Sequence, residues 1–512
     1  MRMILAASAA VAAIAACTTM GPATQTIVRN APAPVQSADS YFVKGGAAIE
    51  ARIAARGQPH AKNVILFIGD GMGISTITAA RIYAGQSKGR DGESYQLAME
   101  KLPYSAFSKT YTHDSQVADS APTAVAMTSG VKSYNGSIGV TQAASLADCT
   151  TAKTAGTTTL WEQAEAAGMA TGIISTARIT HATPAATYAQ TTERDWESDA
   201  DISAAGKAAG CTDIAAQLID WTKANGDGFE VILGGGRSGF LPNTMADPEY
   251  PDQKGRRQDG RNLAEEWLEG HPERKVTIGV STFQQINFDS DIQVLGLFEP
   301  SHMQYELDRP KDVRGEPTIA EMTEAAITRL SRNPNGYVLM VEGGRVDHGL
   351  HAGDAQRALG DAAALDDAIA AAVARTNPEE TLIIVTADHS HTLVMQGYPQ
   401  RGNPILGLVR ENDKLVLAAD GKPYTTLGFA NGPGSVCKKQ PDDKWLCERP
   451  DLTNVDTTAL GFRQQSLIPM GSETHGGEDV AIFAGGPGAN LFSGAMEQNE
   501  IYHVMARSLG FK

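Results

Sequence analysis

The chain has 512 residues, with 43 lysines and arginines against 59 aspartates and glutamates and a formal net charge of −16. So acidic a chain, with no visible basic patch, excludes a nucleic-acid-binding role, because gripping a polyanion needs clustered cations. An anionic small molecule would have to be drawn in locally, by metal ions or by a placed arginine.

Met1 to Ala16 carries one early cation, Arg2, and then an alanine-rich apolar stretch closing on Ile14-Ala15-Ala16-Cys17, which reads as a signal peptide over residues 1–16. The last four letters are also similar to the lipobox of bacterial lipoproteins, where the cysteine becomes the lipidated N-terminus; plain cleavage after small residues fits them too. Both readings predict export, to the periplasm or to the outer membrane as a lipoprotein. Any membrane attachment is then expected through Cys17, since no later apolar run approaches the ~20 residues of a membrane-spanning helix. Residues 17–36, with Pro22, Pro32 and Pro34, read as a tether, and 37–512 as one catalytic domain opening with a helix from Ser37 to about Gly57. Cys149, Cys211, Cys437 and Cys447 allow three pairings; Cys149–Cys211 with Cys437–Cys447 is favoured, because the second pair closes a short polar loop.

Downstream, uninterrupted apolar runs end at acidic residues: Asn63–Gly69 at Asp70, Gly336–Val341 at Glu342 and Thr381–Ala387 at Asp388. Ala170–Thr176, Val231–Leu233 and Asp479–Ala484 have the same character. Such runs read as strands buried on both faces, and the helical patterns between them predict an α/β fold with a large, mostly parallel central sheet flanked by helices on both faces and bearing loop insertions. Ligands bind such sheets beyond the carboxyl ends of the strands, so three carboxylates converge there.

Asp119-Ser120-Ala121-Pro122-Thr123-Ala124 supplies a candidate nucleophile. A serine hydroxyl needs a base or a metal ion to react, and the local sequence offers no base. Pro122 is tolerated in a first helical turn, and the apolar run behind it predicts a helix whose free N–H groups would face an anion at Ser120. Asp347 and His351 stand at i and i+4, on one face of a predicted helix. His389 follows Asp388, and His475 lies in a glycine-rich loop. With His348 and His391, five of the eleven histidines fall in glycine- or acid-flanked segments, a mixed supply of nitrogen and oxygen ligands that suits zinc and magnesium.

In this order, ILFIGDGMG, DSAPTA followed by SGVK, HATPAATYAQ, VEGGRVDHGLHAGDA, TADHSH and ETHGGEDVA resemble the alkaline phosphatases, metal-dependent phosphomonoesterases with a serine nucleophile. The likeness runs from about residue 60 to the C-terminus. The wording of GLFEP, DPEYPD, EMTEAA, SRNP and RQQS is closer to the animal-type branch than to the bacterial periplasmic type.

The resemblance implies that Ser120 is phosphorylated and that Arg194 clamps the substrate phosphate. It assigns Asp347, His351 and His475 to one zinc, Asp70, Asp388 and His389 to a second, and Asp70, Thr183 and Glu342 to magnesium. His181 and His348 would support magnesium or phosphate through water. Glu249, Glu299, Glu316 and the carbonyl of Phe298 match a fourth, calcium-like site, Glu316 being read across a two-residue insertion. Pro122 departs from the small residue usual after Asp-Ser-Ala, which puts the local backbone geometry in question. The expected protein is a homodimer, with its N-terminal helix at the interface, hydrolysing small phosphomonoesters faster as pH rises. A phosphodiesterase or nucleotide pyrophosphatase of the same superfamily is the alternative; a complete magnesium set and Arg194 argue against it.

Overall fold

The computed structural model describes residues 28–511, so the leader at 1–16 and Cys17 lie outside the described residues. A ten-stranded sheet runs through the molecule. Its strands are β1 (Asn63–Gly69), β2 (Tyr104–Lys109), β3 (Ala170–Arg178), β4 (Val231–Gly235), β5 (Arg274–Thr277), β6 (Gln293–Leu297), β7 (Tyr337–Gly343), β8 (Thr381–Ala387), β9 (Val480–Gly485) and β10 (Ala495–Glu497). Their spatial order is β10-β2-β9-β8-β1-β7-β3-β4-β6-β5. From β8 to β5 every pairing is parallel.

The apolar runs make these strands because each must be covered on both faces. Every residue of β1, β7 and β8 is buried. Val64, Leu66 and Ile68 join the core beneath one face, with Ala121, Val125 and Met505. Ile65 and Phe67 join the other, with Leu359 and Leu365 of the long helix Ala355–Arg375. Burying each such side chain stabilises the fold by about 1.5–3 kcal/mol.

The Val480–Gly485 run is a buried strand, but it pairs antiparallel with both β8 and β2 and so ends the parallel block. Four strands lack a continuous apolar run: β2 alternates exposed and buried residues, β5 and the three-residue β10 are edges, and β6 is interrupted by Gly296.

The first helix spans Ser40–Arg56, starting where the Asp39 carboxylate accepts from the N–H groups of Tyr41 and Phe42. The end of the predicted tether is docked on the body. Gln36 is buried, its Nε2 donating to the carbonyls of Ser129 and Thr158, each at 2.8 Å, and Arg29 donates to the Asn335 carbonyl at 2.6 Å. Both favoured disulfides, Cys149–Cys211 and Cys437–Cys447, are formed. Among the described residues no helix is long and apolar enough to cross a membrane.

Candidate active site and metal centre

The sheet register gathers the acidic residues. Gly69 at the end of β1 pairs with Gly343 of β7 and Ala387 of β8, and Glu342 pairs with Ser175 of β3. Asp70, Glu342 and Asp388 therefore leave neighbouring strands at one level. All three are buried, with Thr183 of the short helix Ala182–Ala185 beside them. Gly71 holds the turn after Asp70 at φ 69°, and a Cβ there would meet the His391 ring at 2.4 Å, so the position demands glycine.

Ser120 opens the helix Ser120–Ser129, capped by Asp119, whose carboxylate accepts from Ala121 N–H at 3.3 Å. Pro122 falls in the first turn, where its missing N–H costs nothing, and the helix continues undistorted. The helix packs on the sheet through Ala121, Ala124 and Val125, which presents Ser120 to the strand ends. Its Oγ lies 3.0 Å from Nε2 of His389. That nitrogen is 3.4 Å from Asp70 Oδ1 and 3.3 Å from Asp388 Oδ2.

A second group adjoins it. Asp347 Oδ1 lies 3.4 Å from His351 Nε2 and 3.6 Å from His475 Nε2, and the two nitrogens are 3.1 Å apart. The His475 ring stacks on that of His389 at 3.6 Å. Burial holds both His389 and His475 down to about 3, so at neutral pH their rings are uncharged and have a lone pair to offer. Asp70 is pushed well above the ordinary carboxylate range by burial and by the nearby charges of Asp388, Asp347 and Glu342. Burial also raises Asp388, and Glu342 to about 7.

Arg194 approaches from a loop. Its Nη1 pairs with Asp119 and its Nη2 lies 3.0 Å from His181 Nε2. His348 follows, with its ring 5.5 Å from that of His181. Serine, arginine and two sets of potential metal ligands thus face one volume.

The alkaline phosphatase family profile matches residues 61–511. The chain belongs to the alkaline phosphatase family. It is 44% identical over 461 residues to the tissue-nonspecific alkaline phosphatase of Gallus gallus, covering 89% of this chain and 86% of that one. It is also 44% identical over 451 residues to an alkaline phosphatase of Gadus morhua, covering 87% and 91%. The Thermus thermophilus alkaline phosphatase structure superposes with a TM-score of 0.61 at 24% identity, over 89% of this chain and 93% of that one. That of the Antarctic bacterium TAB5 gives 0.59 at 22%, over 89% and 99%. These two show the fold, while the animal relatives place this phosphatase, a phosphomonoester hydrolase, nearer the animal-type branch. They lend no support to the diester alternative.

The phosphatase has oxygens waiting for cations. Both carboxylate oxygens of Asp70, Asp388 Oδ2, Glu342 Oε1 and Thr183 Oγ1 are buried without a hydrogen-bond partner. Left so, each would cost on the order of 1–3 kcal/mol or more, and bound cations remove that cost. Asp70, Asp388 and His389 offer atoms within 4.8 Å of one another, as do Asp70, His181 and Glu342. His181 thus offers a ring nitrogen to the same group as Asp70 and Glu342.

At the expected fourth site a further acid joins the predicted ones. Glu249, Glu299 and Asp312 offer carboxylate oxygens within 4.8 Å of one another. Tyr250 OH bridges Glu299 at 3.1 Å and Asp312 at 3.2 Å. Glu316 stands beside them with Oε1 accepting from Gln304 N–H at 2.8 Å and Oε2 buried without a partner. Phe298, buried, directly precedes Glu299.

His391 and Glu473 carry more than their sequence suggested. His391 Nε2 is 2.7 Å from Asp347 Oδ1, and its Nδ1 contacts the Glu473 carboxylate. Burial opposes charge on His391, yet these two carboxylates hold it up to about 9. The signal available was the spacing of His389 and His391: two residues apart in an extended segment they face the same side.

Proposed function

We propose that this phosphatase transfers the phosphoryl group of a small monoester to Ser120 Oγ and then to water. The observation that carries the reading is the set of unpartnered buried oxygens of Asp70, Asp388, Glu342 and Thr183 close to the Ser120 hydroxyl, which lies 3.0 Å from His389. Asp347, His351 and His475 would hold one zinc ion, Asp70, Asp388 and His389 a second, and Asp70, Thr183 and Glu342, with His181 near, a magnesium ion. When bound, these ions supply the positive charge that lowers the pKa of a hydroxyl or a water and offsets charge on phosphate and leaving alkoxide.

The chain's own residues do the rest. Arg194, held by Asp119, takes phosphate oxygens by two-pronged hydrogen bonds. The first turn of the Ser120 helix directs free N–H groups toward the same oxygens. Ser120 Oγ attacks phosphorus, the alkoxide leaves on the opposite side, and water later attacks the phosphoserine from the side the alcohol vacated. His181 and His348 line the phosphate's flank. Glu249, Glu299 and Asp312, with Glu316 and the Phe298 carbonyl, would hold a calcium-like ion.

We further propose that the chain is exported with residues 1–16 as its signal peptide, either to the periplasm or to the outer membrane as a lipoprotein lipidated on Cys17, and that it is a homodimer. The one-sided packing of the Ser40–Arg56 helix, with only Gly45 and Ile49 buried, supports a partner on its outer face; light scattering of the purified protein tests it.

The deciding experiment compares an aryl phosphomonoester with the matching diester at neutral and alkaline pH, before and after chelation and restoration with zinc and magnesium. Metal-dependent monoester turnover that rises with pH and far exceeds diester turnover is expected. Preferred diester cleavage would replace this reading by the alternative.

A further inference from the structure

Arg345 is unlike the other arginines around the site. Arg194 pairs with Asp119, Arg178 with Glu197, Arg309 with Glu306, and Arg357 with Asp308 and Asp354. Among the described residues no carboxylate comes within 4.0 Å of the Arg345 guanidinium. Its Nη1 meets only Nδ1 of His348, at 3.2 Å, and its Nε is buried without a partner. The guanidinium lies over the Tyr305 ring, 3.7 Å from its centroid, a contact that orients a cation without neutralising it. The acid facing it from the long helix, Asp361, is pushed up to about 8 by burial, against the opposing pull of Arg345, and is mostly protonated at neutral pH. In a chain of net charge −16, an uncompensated, half-buried guanidinium is the exception.

Its place gives it a use. Arg194, His181, His348 and Arg345 follow one another in a row, through contacts of 3.0 Å, 5.5 Å between ring centres and 3.2 Å. His302 stands behind them, its ring 4.0 Å from that of His348 and both of its nitrogens taken by Arg178. Arg345, His348 and His302 are all half-exposed. Two imidazoles along from Arg194, Arg345 is thus a second cation, partly open to solvent, within reach of whatever extends from a phosphate held there.

We propose that Arg345, with His348 beside it, forms a leaving-group subsite for a second anionic group, so that the preferred substrates are monoesters whose alcohol carries a phosphate or a carboxylate. The inference rests on the phosphomonoesterase reading above. A guanidinium pairs with either anion by the same charge-assisted hydrogen bonds, and the attraction is reduced by salt.

The test uses the metal-loaded protein with ethylene glycol phosphate, ethylene glycol bisphosphate and phosphoglycolate, which share a two-carbon alcohol. Wild type should show a kcat/KM advantage for the bisphosphate, phosphoglycolate or both, and the favoured one names the anion. Arg345→Gln should remove that advantage, about ten-fold, without slowing ethylene glycol phosphate, and Arg345→Lys should restore part of it. An equal fall on all three substrates would reduce Arg345 to a support for His348 and overturn the subsite, as would a wild type without preference. Calorimetric binding of phosphonoacetate against methylphosphonate keeps the two readings apart. A preference for phosphonoacetate that is lost in Arg345→Gln stands even if no ester is turned over, and absence of that preference overturns the subsite even if monoesters are hydrolysed.

Discussion

The Ser120 hydroxyl stands 3.0 Å from Nε2 of His389, a nitrogen flanked by Asp70 at 3.4 Å and Asp388 at 3.3 Å. The contact resembles a serine–histidine–carboxylate relay, but an imidazole held down to about 3 is too weak a base to draw a proton from a serine. The nitrogen's lone pair serves better as a ligand, which gives chelation a sharp prediction. A chelator should abolish hydrolysis and added zinc and magnesium should restore it. Ser120→Ala should lose at least about a thousand-fold in kcat while still binding metal. Full activity in excess chelator would sink the metal reading and reinstate the relay.

Arg194 is fixed by Asp119 on one side and faces His181 on the other. Lysine in its place keeps the charge but loses the planar fork that meets two phosphate oxygens together. Arg194→Lys should therefore lower kcat/KM by about a hundred-fold and weaken inhibition by inorganic phosphate. Asp119→Asn should lose far less, because the same change that loosens Arg194 also removes a negative charge that repels the phosphate. The two variants' phosphate inhibition constants check this ordering.

His391 touches neither Ser120 nor Arg194; it bonds Asp347, which faces His351 and His475. Its removal leaves that carboxylate unheld and takes away the link to Glu473. His391→Ala should weaken metal retention by about 10–100-fold, so that activity falls after dialysis and recovers in excess zinc. Unchanged zinc affinity, measured by competition with a chromogenic chelator, would refute this role.

The parts of the molecule that could be read in its sequence are those where one physical demand dominates. Asn63–Gly69 and Thr381–Ala387 can only be strands covered on both faces, and the residues that follow them, Asp70 and Asp388, must emerge at the ligand-binding edge. Tyr104–Lys109 escaped because a strand with one wet face in a mostly buried sheet gives a broken apolar pattern. Asp312 escaped because spacing along an irregular loop does not say which of its acids turns toward Glu249 and Glu299. Arg345 could be seen as part of GGRVDHG, but its isolation depends on where Glu197, Asp361 and Glu306 end up, and that is decided by packing among segments far apart in the chain.

At the opposite end of β3 from the site, Glu165 and Glu230 share one threonine. Glu165 Oε1 accepts from Thr171 Oγ1 at 2.5 Å, and Glu230 Oε2 from Thr171 N–H at 2.7 Å. Burial, and then the charge of Glu230, push Glu165 from 4.5 up to about 9. Below pH 4.5 the folded and unfolded chains both hold its proton. Between that pH and about 9 the unfolded chain has released a proton the folded chain retains, so stability falls as pH rises. Above the window both are ionised and the loss is complete. Glu165→Gln keeps the hydrogen bond and cannot ionise, so it should match wild type in acid and exceed it in alkali, by a few kcal/mol in order of magnitude. Its hydrolytic activity should be intact, because the site lies at the other end of the strand. Urea unfolding of both proteins across that pH range, at saturating zinc and magnesium, isolates the effect, since metal linkage cancels in the difference. Parallel stability curves for the two proteins would show that Glu165 ionises in the folded state as it does in the unfolded one.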